Sequence, residues 1–287
     1  MIRIFATALV LLASSSQHSL AGSLSEALEA HNRGDEQLAL ELLLPLAESG
    51  EIKAMDTLSH IYWWGDGVPP DHTEALKWSR RSAALGSSAG QHDLAIHYLN
   101  GDVVKKDAEM GASLYKMAAE QGDAHAKAGL GSLYLKGTGV PEDFDQGMAL
   151  IRAAAEQGYY RAQSSLGVFL HNGAYGLPKD DLEAIRWLEL AAEQGDVGSQ
   201  FVVGLLYAGE APQAVNIAKA AEWLAIAARA GCLQAANFGL LSVSMLPAGE
   251  AEFIAQRVDE WIRLHPRDIH RHTGPPPYCY GDGGRPI

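Results

Sequence analysis

Cysteine is nearly absent: Cys232 and Cys279 are the two in 287 residues. In an oxidising compartment one bridge between them would pin the C-terminal tail to the body of the chain; the alternative is that each stays a thiol. Positive charge is scarce as well, with 22 Lys and Arg against 35 Asp and Glu and a net charge of −13. That balance excludes a general nucleic-acid binder, which needs Lys or Arg at each phosphate, and disfavours anionic membrane surfaces. A basic protein or peptide partner suits the charge better, although acidity alone keeps a secreted protein soluble.

Long apolar runs are missing too, with one exception. Arg3 is followed by an apolar stretch from Ile4 to Ala13, then by Ser19 and Ala21 at positions −3 and −1 of a small-residue cleavage site. The stretch is too short to span a bilayer and has the form of a secretory signal peptide over residues 1–21; an uncleaved N-terminal anchor is the rival reading. No cysteine follows it to carry a lipid. The expected location is therefore periplasmic or secreted, with no transmembrane segment in the mature chain. Loss of Met1–Ala21 removes Arg3 and no acid, so the mature chain is one unit more negative.

Catalytic signatures are absent or isolated. His-Glu-x-x-His does not occur, and the acidic residues are too dispersed to nominate a carboxylate pair. Ser113-x-x-Lys116 matches a penicillin-recognising motif, but no Lys-Thr-Gly accompanies it. Gly137-Thr138-Gly139 has no Lys-Ser/Thr after it and reads as a turn rather than a phosphate cradle. His265, His270, His272 and Cys279 form a loose soft-metal set in the tail, more simply read as surface histidines. The expectation is no catalytic residue, no cofactor and no metal.

What the chain does have is repetition. It is 47% hydrophobic and 20% charged, which excludes disorder. Ala-Ala-Glu-Gln-Gly stands at 118–122, 154–158 and 191–195. Glycines that close Ala-rich stretches fall at Gly50, Gly86, Gly122, Gly158, Gly195 and Gly231, a period of 36 residues with one of 37. Four residues after each comes a small residue (Ala54, Gly90, Ala126, Ala162, Ser199, Ala235). Eight after comes mostly an aliphatic, and twelve after mostly Tyr, as in Tyr62, Tyr98, Tyr134 and Tyr207. Steps of four on one stripe are helical. Gly and Pro then break the helix, and a second helix follows with small residues at Ala75, Gly111, Gly147, Ala184 and Ala220. Bulky residues expected in its core are Trp78, Leu114, Leu150, Trp187 and Trp223. Asp71, Asp107, Asp143 and Asp180 stand where a cap suits the second helix. The recurrent glycine can take the left-handed conformation after it, with the neighbouring Glu and Gln facing water. Helix pairs of this kind bury their apolar faces only by stacking, so the fold class is all-α, an α-solenoid of about seven helical hairpins.

The stretch "AKAGLGSLYLKGTGVPEDFDQGMALIRAAAEQG" resembles a Sel-one-like repeat, a branch of the tetratricopeptide-type helical repeats. Ala126, Leu130, Gly131, Tyr134, Gly137, Gly139, Val140, Asp143, Ala154 or Ala155, and Gly158 carry the resemblance. It covers about residues 50–240. The unit after Gly195, with "AGEAPQAVNIAK", lacks the Gly-x-Gly-Val loop, so its turn should differ. The resemblance implies a right-handed superhelix and an interaction module rather than an enzyme. The expected organisation is a signal peptide (1–21), an N-terminal capping hairpin (22–50), five repeats (51–231), C-terminal capping helices (232–265) and a flexible tail (266–287). In the last helix, Phe253, Val258, Trp261 and Leu264 are the expected apolar side.

Function is then sought where the units differ. First helices of such repeats line the concave face on which partners dock. Positions six, ten, thirteen and fourteen after the glycine nominate Asp56, His60, Trp63, Trp64, His92, Asn100, Lys136, His171 and Asn172. Leu99, Ser132 and Ser164 lie on the same stripe. Trp63 and Trp64 are the best hot-spot candidates, unless they pack against the N-terminal hairpin. The leading reading is a non-enzymatic scaffold or adaptor of the bacterial cell envelope that binds a protein or peptide, in signalling, envelope assembly or host contact. A glycan- or peptidoglycan-binding module using the tryptophans is the alternative. A β-lactam hydrolase is the third reading; the secreted branch given that label pairs cysteines in every unit, which this chain does not.

Overall fold

The computed structural model describes residues 23–247 and 249–265. The signal-peptide segment and the tail 266–287, with His270, His272 and Cys279, lie outside them. The described residues are all-helical, with fourteen helices in seven consecutive hairpins and no strand. The all-α solenoid expected from the 36-residue period is what the chain forms. The helices are α1 (23–33), α2 (Glu36–Glu48), α3 (Ile52–Trp64), α4 (His72–Ala84), α5 (Ser88–Asn100), α6 (Ala108–Glu120) and α7 (Ala124–Lys136). They continue as α8 (Phe144–Glu156), α9 (Tyr160–Asn172), α10 (Asp181–Glu193), α11 (Val197–Leu205), α12 (Ile217–Arg229), α13 (Leu233–Ser244) and α14 (Glu250–Leu264). No described helix is long and apolar enough to cross a membrane. Two compact units result: one runs to Ala126 and includes Thr138–Val140, and the other comprises Lys127–Gly137 and the chain from Pro141 on.

Each helix begins and ends as local chemistry dictates. The carboxylates of Asp71, Asp107, Asp143 and Asp180 accept hydrogen bonds from backbone N–H groups two or three residues on, which satisfies first-turn donors and opposes the helix dipole. Asn216 does the same for α12. All six joint glycines have positive φ, from +88° at Gly195 to +104° at Gly50. Only glycine adopts that region without strain.

The small-residue positions are the floor of the packing. Ala54, Ala126, Ala162, Ser199 and Ala235, and on the second helices Ala75, Ala184 and Ala220, are buried. Where they are glycine the backbones almost touch: a Cβ on Gly147 would stand 2.9 Å from the Gly131 carbonyl oxygen, and one on Gly90 2.7 Å from Ala83 N. The expected bulky positions need a correction. Trp78 and Leu114 are buried, but Leu150, Trp187 and Trp223 are half-exposed. The residues one step on, Ile151, Leu188 and Leu224, go inside instead, because each points at a glycine of the preceding helix (Gly131, Gly167 and Gly204) that leaves room for it. Each such burial is worth about 1.5–3 kcal/mol relative to exposure.

The joint glutamines Gln121, Gln157 and Gln194 are exposed, as expected, and two of them also bridge repeats. Gln121 donates to Gln91 Oε1 and Gln194 to Gln163 Oε1, both at 2.8 Å, while Gln163 and Gln200 donate to the carbonyls of Ala155 and Ala192. These bonds join one repeat to the next and give partners to the buried amides of Gln91, Gln163 and Gln200. In the first unit the capping hairpin packs Ala27, Ala30, Leu43 and Leu46 on Leu58, Ile61 and Trp78.

Two further differences belong to the second unit. The unit lacking Gly-x-Gly-Val has a short α11, followed by a π-helical turn over Leu206–Glu210 with Gly209 at φ +138°, then a 3-10 turn over Pro212–Ala214. Tyr207 is held there by a hydrogen bond to Glu189 (2.8 Å) and one from Lys219 (2.9 Å). On α14 the inward stripe is Ile254, Val258, Trp261 and Ile262, packed on Ile226 of α12. Phe253 and Leu264 are exposed, because the i, i+4, i+7 stripe that starts at residue 254 turns both away from α12.

Candidate interaction surface

The nominated first-helix residues fall into three groups. Some hold neighbouring repeats together. The Ser87 hydroxyl donates to the Asp56 carboxylate, lying 2.9 and 3.0 Å from its two oxygens, and Ser87 Oγ in turn caps α5 by accepting from Gly90 N–H. Burial pushes the Asp56 carboxyl up, and the hydroxyls of Ser87 and Ser82 only partly hold it down. In the second unit the same seam appears with the residue types exchanged: the Ser164 hydroxyl donates to Asp196, the N-cap of α11, at 3.2 Å. That Asp/Ser exchange between position six and the next N-cap was visible in the sequence and identifies position six as a joint.

A second group is engaged by histidine–carboxylate pairs and ring stacking. His171 Nδ1 lies 2.7 Å from Asp181 Oδ1, and Gln213 donates to the other oxygen at 3.3 Å. Burial alone would raise the Asp181 pKa, but the His171 hydrogen bond, the Lys179 charge and Gln213 outweigh it and leave it low. His92 Nδ1 sits 3.1 Å from Asp93 Oδ1 and its ring stacks on Tyr115 at 5.5 Å. Trp63 has its ring engaged within its own and the next repeat. It stacks on His72 at 4.4 Å and meets His97 edge-on at 4.8 Å. Below it, His97 is fully buried with neither ring nitrogen in hydrogen-bond geometry; Asp102 Oδ1 is 3.5 Å from its Nδ1. Burial pulls the His97 pKa below its ordinary 6.5.

The third group is exposed: Trp64 at 42%, together with Asn100, Lys136 and Asn172 at the C-terminal ends of their helices. His60, half-exposed, lies beside Trp64 with ring centroids 6.3 Å apart. Sequence reasoning missed two partners of this corner. His60 Nδ1 is 3.6 Å from Asp66, and its ring is 6.4 Å from that of His31 on α1. One ligand-type atom from each of His31, His60 and Asp66 lies within 4.8 Å of the others. Also in the first unit, Arg80, Tyr98, Lys105, Lys106 and Glu109 line an open groove of about 670 Å³. Ser113 and Lys116 are exposed on α6, and His265 is occupied with the Trp261 carbonyl and ring.

The Sel1 repeat pattern matches residues 52–87, 88–123, 124–159, 161–196 and 198–232. The chain belongs to the Sel1 repeat family. Proteins of this family are generally protein-interaction scaffolds and typically non-catalytic. Among solved structures, a Sel1 repeat protein from Oxalobacter formigenes is 27% identical, with a TM-score of 0.64 over 83% of this chain and 99% of that one. A protective antigen of uropathogenic Escherichia coli strains, c5321, which displays the same repeat fold, is 28% identical, with a TM-score of 0.69 over 91% of this chain and 58% of that one. The chain thus spans little more than half the length of that antigen. An immunity protein from Pseudomonas aeruginosa, Pa5087, shares the fold at 20% identity and a TM-score of 0.50. No curated protein matches the chain.

Proposed function

We propose that this chain is a non-enzymatic scaffold of the bacterial cell envelope that binds a protein or peptide on its first-helix surface. The exposed Trp64, beside half-exposed His60, carries the reading. The other nominated aromatic, Trp63, is occupied by two histidines, whereas 42% of the Trp64 surface faces solvent. An exposed indole at a helix end can anchor a partner. The family's general role supports binding over catalysis, and the signal-peptide pattern of residues 1–21 supports the envelope. Likeness to a protective antigen is in keeping with an exported protein.

A photo-crosslinker at position 64 should trap a discrete partner in envelope preparations that the same crosslinker at the exposed Lys116 does not. Trp64→Ala should abolish capture by the purified chain while leaving its melting temperature unchanged. Equal capture from both positions, or unimpaired capture by Trp64→Ala, refutes the site. Chain isolated from the envelope should begin at Gly22; recovery from the cytoplasm with Met1 intact refutes the location.

A further inference from the structure

We infer that His31, His60 and Asp66 form a binding site for one divalent transition ion of the zinc class. The three come from separate elements of the first unit: His31 from α1, His60 from α3, and Asp66 from the loop after α3. Their ligand atoms lie within 4.8 Å of one another. Ligands about 2.0–2.1 Å from a tetrahedral zinc ion stand roughly 3.4 Å apart. His60 Nδ1 and Asp66 Oδ2, at 3.6 Å, are already close to that separation, and closing the 4.8 Å span of the set by roughly 1.4 Å on the His31 side completes it. Two imidazoles and a carboxylate suit zinc, copper or nickel and are a poor cage for calcium or magnesium, which want oxygen ligands.

The surroundings are those a metal-binding histidine needs. His31 Nδ1 is held by both oxygens of Glu36, at 2.9 and 3.0 Å. With Nδ1 so held, Nε2 is the nitrogen left for a metal, the arrangement found behind most metal-ligating histidines. Glu36 is itself 10% exposed at the side chain, so it is fixed rather than floating in solvent. The loop is shaped for the approach. Gly65 ends α3 in the left-handed region at φ +73° and Gly67 follows at φ +68°, with Asp66 between them. A Cβ on Gly67 would run into Cβ and Cγ of Glu36, so glycine is what lets the loop bring Asp66 beside the Glu36–His31 pair. An ion here would tie the N-terminal hairpin to the first matched repeat, next to Trp64. The site does not depend on the partner-binding reading.

The test is calorimetric titration of the full chain with zinc chloride, in a His265→Ala/His270→Ala/His272→Ala background that removes the histidines of the tail. One ion should bind per chain. His31→Gln, His60→Ala and Asp66→Asn should each weaken binding at least tenfold, and Glu36→Gln by about 10–100-fold, the usual effect of losing the carboxylate behind a metal-ligating histidine. Cobalt added to the same chain should give the visible absorption of a tetrahedral site, lost in Asp66→Asn. Circular dichroism checks that each variant is folded, and Asp66, in the loop, is the substitution least able to disturb a helix. The assignment is overturned if removing the tail histidines abolishes zinc binding, or if folded Asp66→Asn and His60→Ala bind zinc as the parent does.

Discussion

Gly131 and Gly239 are both mid-helix glycines of the second unit, on α7 and α13, and the structure predicts opposite outcomes when each becomes alanine. Helix propensity alone gives the same answer twice, a gain of about 0.8–1 kcal/mol. At Gly131 the new Cβ would stand 2.8 Å from the Gly147 carbonyl oxygen, 2.8 Å from Ile151 Cγ1 and 3.3 Å from Ile151 N. Two of these are backbone atoms of α8 and cannot turn aside. Overpacking of this kind costs about 1–3 kcal/mol, and rigid neighbours put it in the upper half of that range. The net effect is a loss of about 1–2 kcal/mol. At Gly239 the nearest atoms are Leu224 Cβ at 3.5 Å and Ala225 N at 3.7 Å, ordinary contacts, so a gain of about 0.5–1 kcal/mol survives.

Thermal melts followed by far-UV circular dichroism read the difference. At roughly 2–4 °C per kcal/mol for a chain of this size class, Gly131→Ala should melt about 2–8 °C lower and Gly239→Ala about 1–4 °C higher. Repeat arrays can unfold in stages, so the sign should also be checked by urea titration. A Gly131→Ala protein as stable as its parent would refute the claim that helices α7 and α8 are in backbone contact.

Three further outcomes follow from the same geometry. Asp143→Ala removes the side chain that accepts from Gln146 N–H at 2.9 Å and should cost about 1 kcal/mol, with Asp143→Asn recovering most of it in the same melts. His97 has a folded-state pKa below 6.5 through burial, which outweighs the opposing pull of Asp102 and Asp93. The unfolded chain then binds more protons below pH 6.5, so stability falls as pH drops through that region; urea midpoints measured against pH should be flatter there for His97→Gln, and parallel curves would exclude His97 as the cause. In a double-mutant cycle Gln163→Ala and Gln194→Ala should show a coupling of about 0.5–1.5 kcal/mol, the net worth of one hydrogen bond, whereas additivity would mean that the 2.8 Å contact is energetically idle.

The helices, their caps and their joints could be read from the sequence because each is fixed by local chemistry that the repeat prints several times. Asp143 caps α8 and Gly158 turns the chain for reasons contained within a few residues. Which of two adjacent large residues goes inside was not legible in the same way. Trp187 and Leu188 are both good core residues, and the choice rests on Gly167, in the facing helix. The site suffered similarly. Position six looked exposed because it varies, yet Asp56 and Ser164 vary in step with their partners Ser87 and Asp196. Trp63 was nominated with Trp64, but its stacking on His72 depends on where α4 begins. The corner of His31, His60 and Asp66 joins residues up to 35 positions apart with no motif to link them.

Variation between repeats therefore has two physical origins, and only one of them concerns a partner. A residue that varies together with its neighbour in the next repeat preserves a joint: the Asp/Ser exchange keeps a hydroxyl–carboxylate bond at the start of the following helix. A residue that varies while still exposed, as Trp64 does beside His60, is the kind the proposed partner would use. An exposed indole has apolar area left for an incoming chain to bury. On that ground the surface that distinguishes this protein from a generic stack of repeats is narrow. It is centred where α3 ends against the capping hairpin, because there the repeat period stops dictating the residue and the chain carries His31, His60, Trp64 and Asp66 together.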